Sequence, residues 1–180
     1  MSKILVISTS LRAKSNSDAL TERLVAGARD AGHDVELISL KGKNIRFCIG
    51  CMYCQKTHQC IQKDDAPAIA EKLRHAETLV FATPIYYYEM SGQLKTLLDR
   101  MNPVYDSDYD FRKVYLLSVA ADDAPETPER AVNGLQGWID CFEKASLAGS
   151  IFFGGIDEAG AAAKDPEALE RAYKFGKGLE

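Results

Sequence analysis

No stretch of the chain approaches the ~18 consecutive apolar residues of a membrane-spanning helix. The N-terminal run Ile4–Ile7 is too short even for a secretory signal core. No membrane partner is therefore expected, and a cytoplasmic location follows as an expectation. Repeats, low-complexity tracts and linkers are also absent. Residues 1–180 are expected to form a single domain, long enough to bury a real core. Strong charge is missing too. A net charge of −4 gives no reason to expect nucleic acid. That charge is uneven: residues 1–60 balance to +4 and residues 61–180 to −8, so the N-terminal third suits a small anionic ligand. Histidine is scarce. His33 and His75 fall at expected helix ends, where a cation favours the dipole. His58 is expected at the surface. Asp106, Asp108 and Asp110 alternate like a calcium loop but lack its glycine and closing glutamate, which leaves a solvated turn.

What is present is an alternation of strand-like and helical segments. The strand candidates are KILVIS (3–8), DVELIS (34–39), TLVFAT (78–83), KVYLLSV (113–119) and SIFFGG (150–155). Four of them are nearly continuous apolar runs, as parallel strands covered on both faces require. Helices are expected over about 17–31 and 66–75, from Ser91, from Thr127-Pro128 and from Asp165-Pro166. Leu94, Leu97, Leu98 and Met101 form one helical stripe, and Ala131, Leu135, Trp138, Phe142 and Ala145 another. Cys141, beside Phe142, is expected in the core. This alternation predicts an α/β fold: a doubly wound five-stranded parallel sheet, order 2-1-3-4-5, with helices on both faces. Ligands then bind beyond the carboxyl ends of the first and third strands.

The loop after the first strand, S8-T-S-L-R-A-K-S-N-S17, is neither G-x-G-x-x-G nor a P-loop. It is rich in hydroxyls, carries Arg12 and runs into a helix N-terminus, which together suit one phosphate. The alternative is a solvated turn with Ser17 as the helix cap. The loop after the third strand, T83-P-I-Y-Y-Y-E-M-S91, holds three successive tyrosines. They suit a flat heterocycle, or else pack beneath the loop or on a partner subunit. The loop after the fourth strand, Ser118–Ala124, is built of small residues that let a ring lie near the backbone.

T9-S-L-R-A-K-S-N-S17 and T83-P-I-Y-Y-Y-E-M-S-G-Q-L-K-T-L-L-D-R100 resemble the two signature loops of the flavodoxin-like NAD(P)H-dependent FMN reductases. With the strand pattern, the resemblance covers essentially the whole chain. It implies bound FMN, NAD(P)H as a transient donor, and a homodimer or higher homo-oligomer. Carried over by position, Ser10, Arg12, Asn16 and Ser17 hold the FMN phosphate. Pro84, Ile85, Tyr86 and Tyr87 wall the isoalloxazine, Ser91 caps the next helix and reaches the ribityl chain, and Ser118, Ala120 and Ala121 line the far side of the ring. Thr9 stands where the family has glycine, which is costly if that position needs positive φ.

Four of the five cysteines, Cys48, Cys51, Cys54 and Cys60, lie in one connection, residues 41–66, at spacing C-x2-C-x2-C-x5-C. A connection of that length points to function. The spacing is similar to the compact motif of the iron–sulfur flavoproteins, where four thiolates hold a [4Fe–4S] cluster. Four-thiolate zinc, a Cys51/Cys54 dithiol, and a metal-free loop that shapes the site and packs against a neighbour are the alternatives. The function these features imply is an FMN-dependent oxidoreductase, moving electrons from NAD(P)H through FMN to a small acceptor such as a quinone or flavin. A flavodoxin-like carrier serving protein partners is the alternative, disfavoured by the modest charge.

Overall fold

The structure is a computed structural model describing residues 1–180. In chain order the elements are β1 (Lys3–Ser8), α1 (Asn16–Asp30), β2 (Asp34–Ser39), α2 (Tyr53–Thr57), α3 (Ala66–Arg74), β3 (Thr78–Tyr86), β4 (Glu89–Met90), α4 (Gly92–Asp99), β5 (Lys113–Val119), α5 (Glu129–Ile139), β6 (Ser146–Phe153) and α6 (Pro166–Lys177). A single 3₁₀ turn, Ala162–Lys164, precedes α6. No helix is long and apolar enough to cross a membrane.

The parallel sheet runs β2-β1-β3-β5-β6, the expected 2-1-3-4-5 order once the short β4 is set aside. Alternation within each central strand feeds two cores. Leu5, Ile7, Leu79, Phe81, Val114 and Leu116 pack against α3, α4 and α5 on one face. Ile4, Val6, Val80, Ala82, Tyr115 and Leu117 pack against α1 and α6 on the other. Covering both faces is why these strands read as unbroken apolar runs.

Three local departures have physical reasons. β4 pairs antiparallel with the end of β3, joining Ile85 to Met90 and Tyr86 to Glu89, so β3 extends to Tyr86 instead of ending at Thr83. β6 begins at Ser146, earlier than its apolar residues suggest, because its first half is a half-exposed edge segment in which Gly149 sits under the Tyr115 ring. α5 starts at Glu129, with Thr127 bonded instead to Asp122, and ends at Ile139. The apolar stripe therefore does not continue helically. Cys141 is exposed, not in the core, while Phe142 turns back inside.

Other caps follow the sequence. Ser91 accepts from the Leu94 N–H, and Asp165 accepts from Glu167 and Ala168 with Pro166 at the first helical position. At α1 the cap is Ser15, two residues before Ser17, and accepts from the Asp18 N–H. Asp106, Asp108 and Asp110 lie exposed in and after the turn that follows α4, as expected of a solvated segment.

Candidate functional site

The loops after β1, β3 and β5 meet at the carboxyl edge of the sheet, as doubly wound topology requires. They enclose a cavity of about 210 Å³. Ser10, Arg12, Asn16 and Ser17 line it from the first loop, Pro84, Ile85 and Tyr86 from the second, and Ala120 and Ala121 from the third. Ser91, Ser118 and Tyr87 do not line it. Ser91 is fully buried, Ser118 donates to the Ile151 carbonyl at 3.5 Å, and Tyr87 is 97% exposed. A fourth wall, Ile156 and Asp157 after β6, was not visible in the sequence.

The first loop is a good anion cradle. α1 begins at Asn16, so unsatisfied backbone N–H groups and the positive end of the helix dipole face the cavity. Asp18, in the first turn, would oppose an anion, but Ser8 (2.5 Å) and an ion pair with Lys41 hold its carboxylate. The Arg12 guanidinium bonds a neutral partner, the Asp157 carbonyl, at 2.7 Å, so no carboxylate neutralises it there. The Asn16 amide is committed elsewhere. Its Nδ2 donates to the Glu158 carbonyl (2.8 Å) and its Oδ1 accepts from the Ala162 N–H (3.1 Å). Asn16 thus ties the fourth wall to the helix that carries the cradle.

Thr9 is not in the left-handed region, so its departure from glycine carries no backbone strain. Its hydroxyl instead donates to the Ala82 carbonyl (3.0 Å) and bonds Ser91 Oγ (3.1 Å), which also accepts from Thr83 Oγ1 (3.2 Å). These three fully buried hydroxyls fasten the first loop to the second.

Strain does occur at the tyrosines. Tyr87 and Tyr88 form the two-residue turn between β3 and β4 with φ of 52° and 64°. That is the type I′ pattern, which favours Asn-Gly. Tyr88 lies under Arg130, 6.0 Å from ring centroid to guanidinium. Tyr87 packs on nothing. Tyr87→Gly should therefore stabilise the protein by about 0.5–1 kcal/mol, since left-handed backbone costs a side-chain-bearing residue about 1–2 kcal/mol. Urea denaturation reads the change, and a loss of stability would mean that Tyr87 packs somewhere after all.

The cysteine connection wraps around the C-terminal end of α4. Gly50, Met52 and His58, all at positive φ, turn the chain around the short α2. All four cysteines line one small cleft together with Arg100 and Asn102. Burial pushes the Cys54 thiol up, a backbone hydrogen bond partly opposes it, and the neighbouring Cys60, Cys48 and Cys51 add to the rise. No three His, Cys, Asp or Glu side chains converge tightly enough to chelate one ion. The four thiols form an all-sulfur donor set of the kind that iron–sulfur clusters and structural zinc both use.

Arg100 anchors this loop. It is 2% exposed and pairs bidentately with the buried Asp64, at 2.7 and 2.9 Å. It also donates to the Arg46 carbonyl (2.7 Å) and to Cys60 Sγ (3.3 Å). Burial alone would raise the Asp64 carboxyl. Arg100 and the N–H groups of Arg46 and Ala66 outweigh it and hold the carboxyl at about 2. The Arg100 Nε is buried without an acceptor, an omission worth about 1–3 kcal/mol unless something in the cleft supplies one.

A doubly wound sheet with an anion-suited helix N-terminus, an aromatic hairpin and small-residue walls at its carboxyl edge is a flavodoxin-like arrangement. The model of the NADPH-dependent FMN reductase family matches residues 2–146, and the chain belongs to that family. It is 33% identical over 102 residues to an iron–sulfur flavoprotein of Methanocaldococcus jannaschii, covering 57% of this chain and 53% of that one. A Bacillus subtilis protein described as an NAD(P)H-dependent FMN-containing oxidoreductase is 31% identical over 128 residues, 67% of each chain. The chain spans about half the length of this iron–sulfur flavoprotein and of several others it matches. Among solved structures, an NAD(P)H:quinone oxidoreductase from Methanothermobacter marburgensis shares the fold across both whole chains, at TM-score 0.72 and 20% identity.

Proposed function

We propose that residues 1–180 act as one FMN-binding unit that transfers electrons from NAD(P)H to a small acceptor. The observation that carries this reading is the cavity, in which nine residues expected from the family resemblance converge from three separate loops. When bound, FMN supplies the redox chemistry, accepting a reducing equivalent from nicotinamide and passing electrons on. The chain supplies position and charge. Backbone N–H groups at the α1 N-terminus, the Ser10 and Ser17 hydroxyls and the Arg12 guanidinium hold the phosphate. Pro84, Ile85 and Tyr86 bound one side of the ring and Ala120 and Ala121 the other. Backbone N–H groups along the second loop stabilise negative charge at its polar edge.

The four cysteines hold a [4Fe–4S] cluster in this reading, supported by the shared cleft and by the names of the iron–sulfur flavoprotein relatives. The exposed apolar side chains of Phe47, Ile49, Met52 and Ile61 on the same loop support a second copy of the chain as the partner that covers them.

The purified protein should be yellow, release FMN on denaturation and lose its flavin absorbance on mixing with NADPH or NADH. Arg12→Ala should weaken FMN about ten- to hundredfold and riboflavin far less, because it removes a charge-assisted bond to phosphate. Failure to take up added FMN overturns the reading. Reduction by a protein donor but by neither nucleotide would identify a carrier instead.

A further inference from the structure

The donors around the cysteine cleft are distributed unevenly. Cys48 and Cys60, the first and last of the four, each receive a hydrogen bond from the end of α4. Cys60 Sγ accepts from Arg100 Nη2 at 3.3 Å, and Cys48 Sγ accepts from Asn102 Nδ2 at 3.8 Å. Both donors are fixed by other bonds. Arg100 is clamped by Asp64 and the Arg46 carbonyl, and the Asn102 amide is steadied by the Asp99 carbonyl at 3.2 Å. The clamp to Asp64 and Arg46 already closes the neck of the loop, so folding alone does not require the contact to sulfur. Arg100 also keeps a buried Nε without a protein acceptor. A rigid, charged donor with spare capacity, set against thiol sulfurs, is arranged to stabilise negative charge on sulfur.

We infer that Arg100 and Asn102 are positioning residues that raise the electron affinity of a cluster held by Cys48, Cys51, Cys54 and Cys60. This rests on the cluster reading of the loop. Hydrogen bonds to ligand sulfurs favour the more negative, reduced state and so raise the reduction potential. Arg100 contributes more than Asn102 because its buried guanidinium, whose charge Asp64 shares, is a fixed charge-assisted donor to Cys60. Lysine would keep that charge and serve Asp64, but one ammonium cannot reproduce a planar fork that reaches a carboxylate, a carbonyl and a sulfur together.

The test uses the full chain with FMN, loaded with iron and sulfide without oxygen, in wild type, Arg100→Lys and Asn102→Ala. Iron and acid-labile sulfide are measured first, then the cluster potential by redox titration followed by electron paramagnetic resonance. Wild type should hold about four irons per chain. Loaded Arg100→Lys should lose at least tenfold in its one-electron reduction equilibrium, a shift of about 59 mV to more negative potential. Asn102→Ala should move less, in the same direction. A merely structural Arg100 would change iron content and leave the potential of the loaded fraction alone. A fully loaded Arg100→Lys with wild-type potential and line shape overturns the inference while the cluster reading stands. If Arg100→Lys fails to fold or load, the exposed Asn102 decides, and an unshifted Asn102→Ala overturns it. Wild type that takes up no iron overturns both.

Discussion

Truncation of Asp64 to alanine should cost about 3–5 kcal/mol of folding stability, because it strands a buried arginine. The side chains of Arg100 and Asp64 are 1% and 0% exposed, so water cannot replace the lost partner. Asp64 also accepts from the Arg46 N–H at 2.9 Å and the Ala66 N–H at 3.1 Å, which ties both ends of the cysteine connection to one point. Exposed pairs such as Lys95–Asp99 should be worth far less, within about 0.5 kcal/mol. The pH dependence separates charge from packing. The Asp64 carboxyl lies at about 2 in the folded protein against 3.8 in its absence, a lowered value. A lowered carboxyl contributes stability that is fully present above its unfolded value and is lost as pH falls through its folded value. The stability difference between wild type and Asp64→Asn should therefore be constant above about pH 5 and shrink between about pH 4 and 2. Urea denaturation across that range measures it. A difference that does not vary with pH would show that the carboxylate charge contributes nothing.

That ion pair also marks where sequence reading stops. Arg100 and Asp64 are 36 positions apart, and although Arg100 closes the second signature segment, nothing local says that the two pair. Their importance arises only when α4 and the cysteine connection are folded together. The sheet was legible for the opposite reason. Its central strands are apolar on both faces, a property each segment carries by itself, and the strand order followed from the regular alternation with helices. The site was legible where loops carry unusual residues, as at Arg12 or Pro84–Tyr86. It was hidden where a wall is made of ordinary ones. Ile156 and Asp157 follow Gly154-Gly155, and reading SIFFGG as strand through residue 155 concealed the loop they form. Asn16, expected at the phosphate, lines the cavity, but its side chain spends both polar atoms on that unread loop. Thr9 looked like a liability by comparison with glycine, and only the neighbouring Ser91 and Thr83 hydroxyls reveal what it does.

The second large effect expected is at the crossing of α1 and α6. Gly176→Ala should destabilise the protein by about 3 kcal/mol, at the upper end of ordinary overpacking. A Cβ at Gly176 would lie 1.9 Å from the Leu24 carbonyl oxygen, and one at Gly27 would lie 2.0 Å from the Tyr173 carbonyl oxygen. In each case the obstacle is backbone, so no rotamer change relieves it and the helices must move apart. Gly137→Ala provides the contrast. Gly137 lies exposed inside α5 with nothing within 4 Å of its would-be Cβ. There the substitution should stabilise by about 0.5–1 kcal/mol, through helix propensity alone. The α1–α6 crossing matters beyond stability because α1 carries the proposed phosphate cradle at its N-terminus. Asn16, in its first turn, is wired to Glu158 and to Ala162, which begins the 3₁₀ turn leading into α6. Prising α6 from α1 pulls on those two bonds and opens the fourth wall of the cavity. Gly176→Ala should therefore weaken FMN binding as well as the fold, measured by flavin fluorescence titration at a temperature where the variant remains folded. Gly137→Ala should leave FMN affinity unchanged. Equal FMN affinity in wild type and folded Gly176→Ala would show that the cradle does not depend on the helix crossing beneath it.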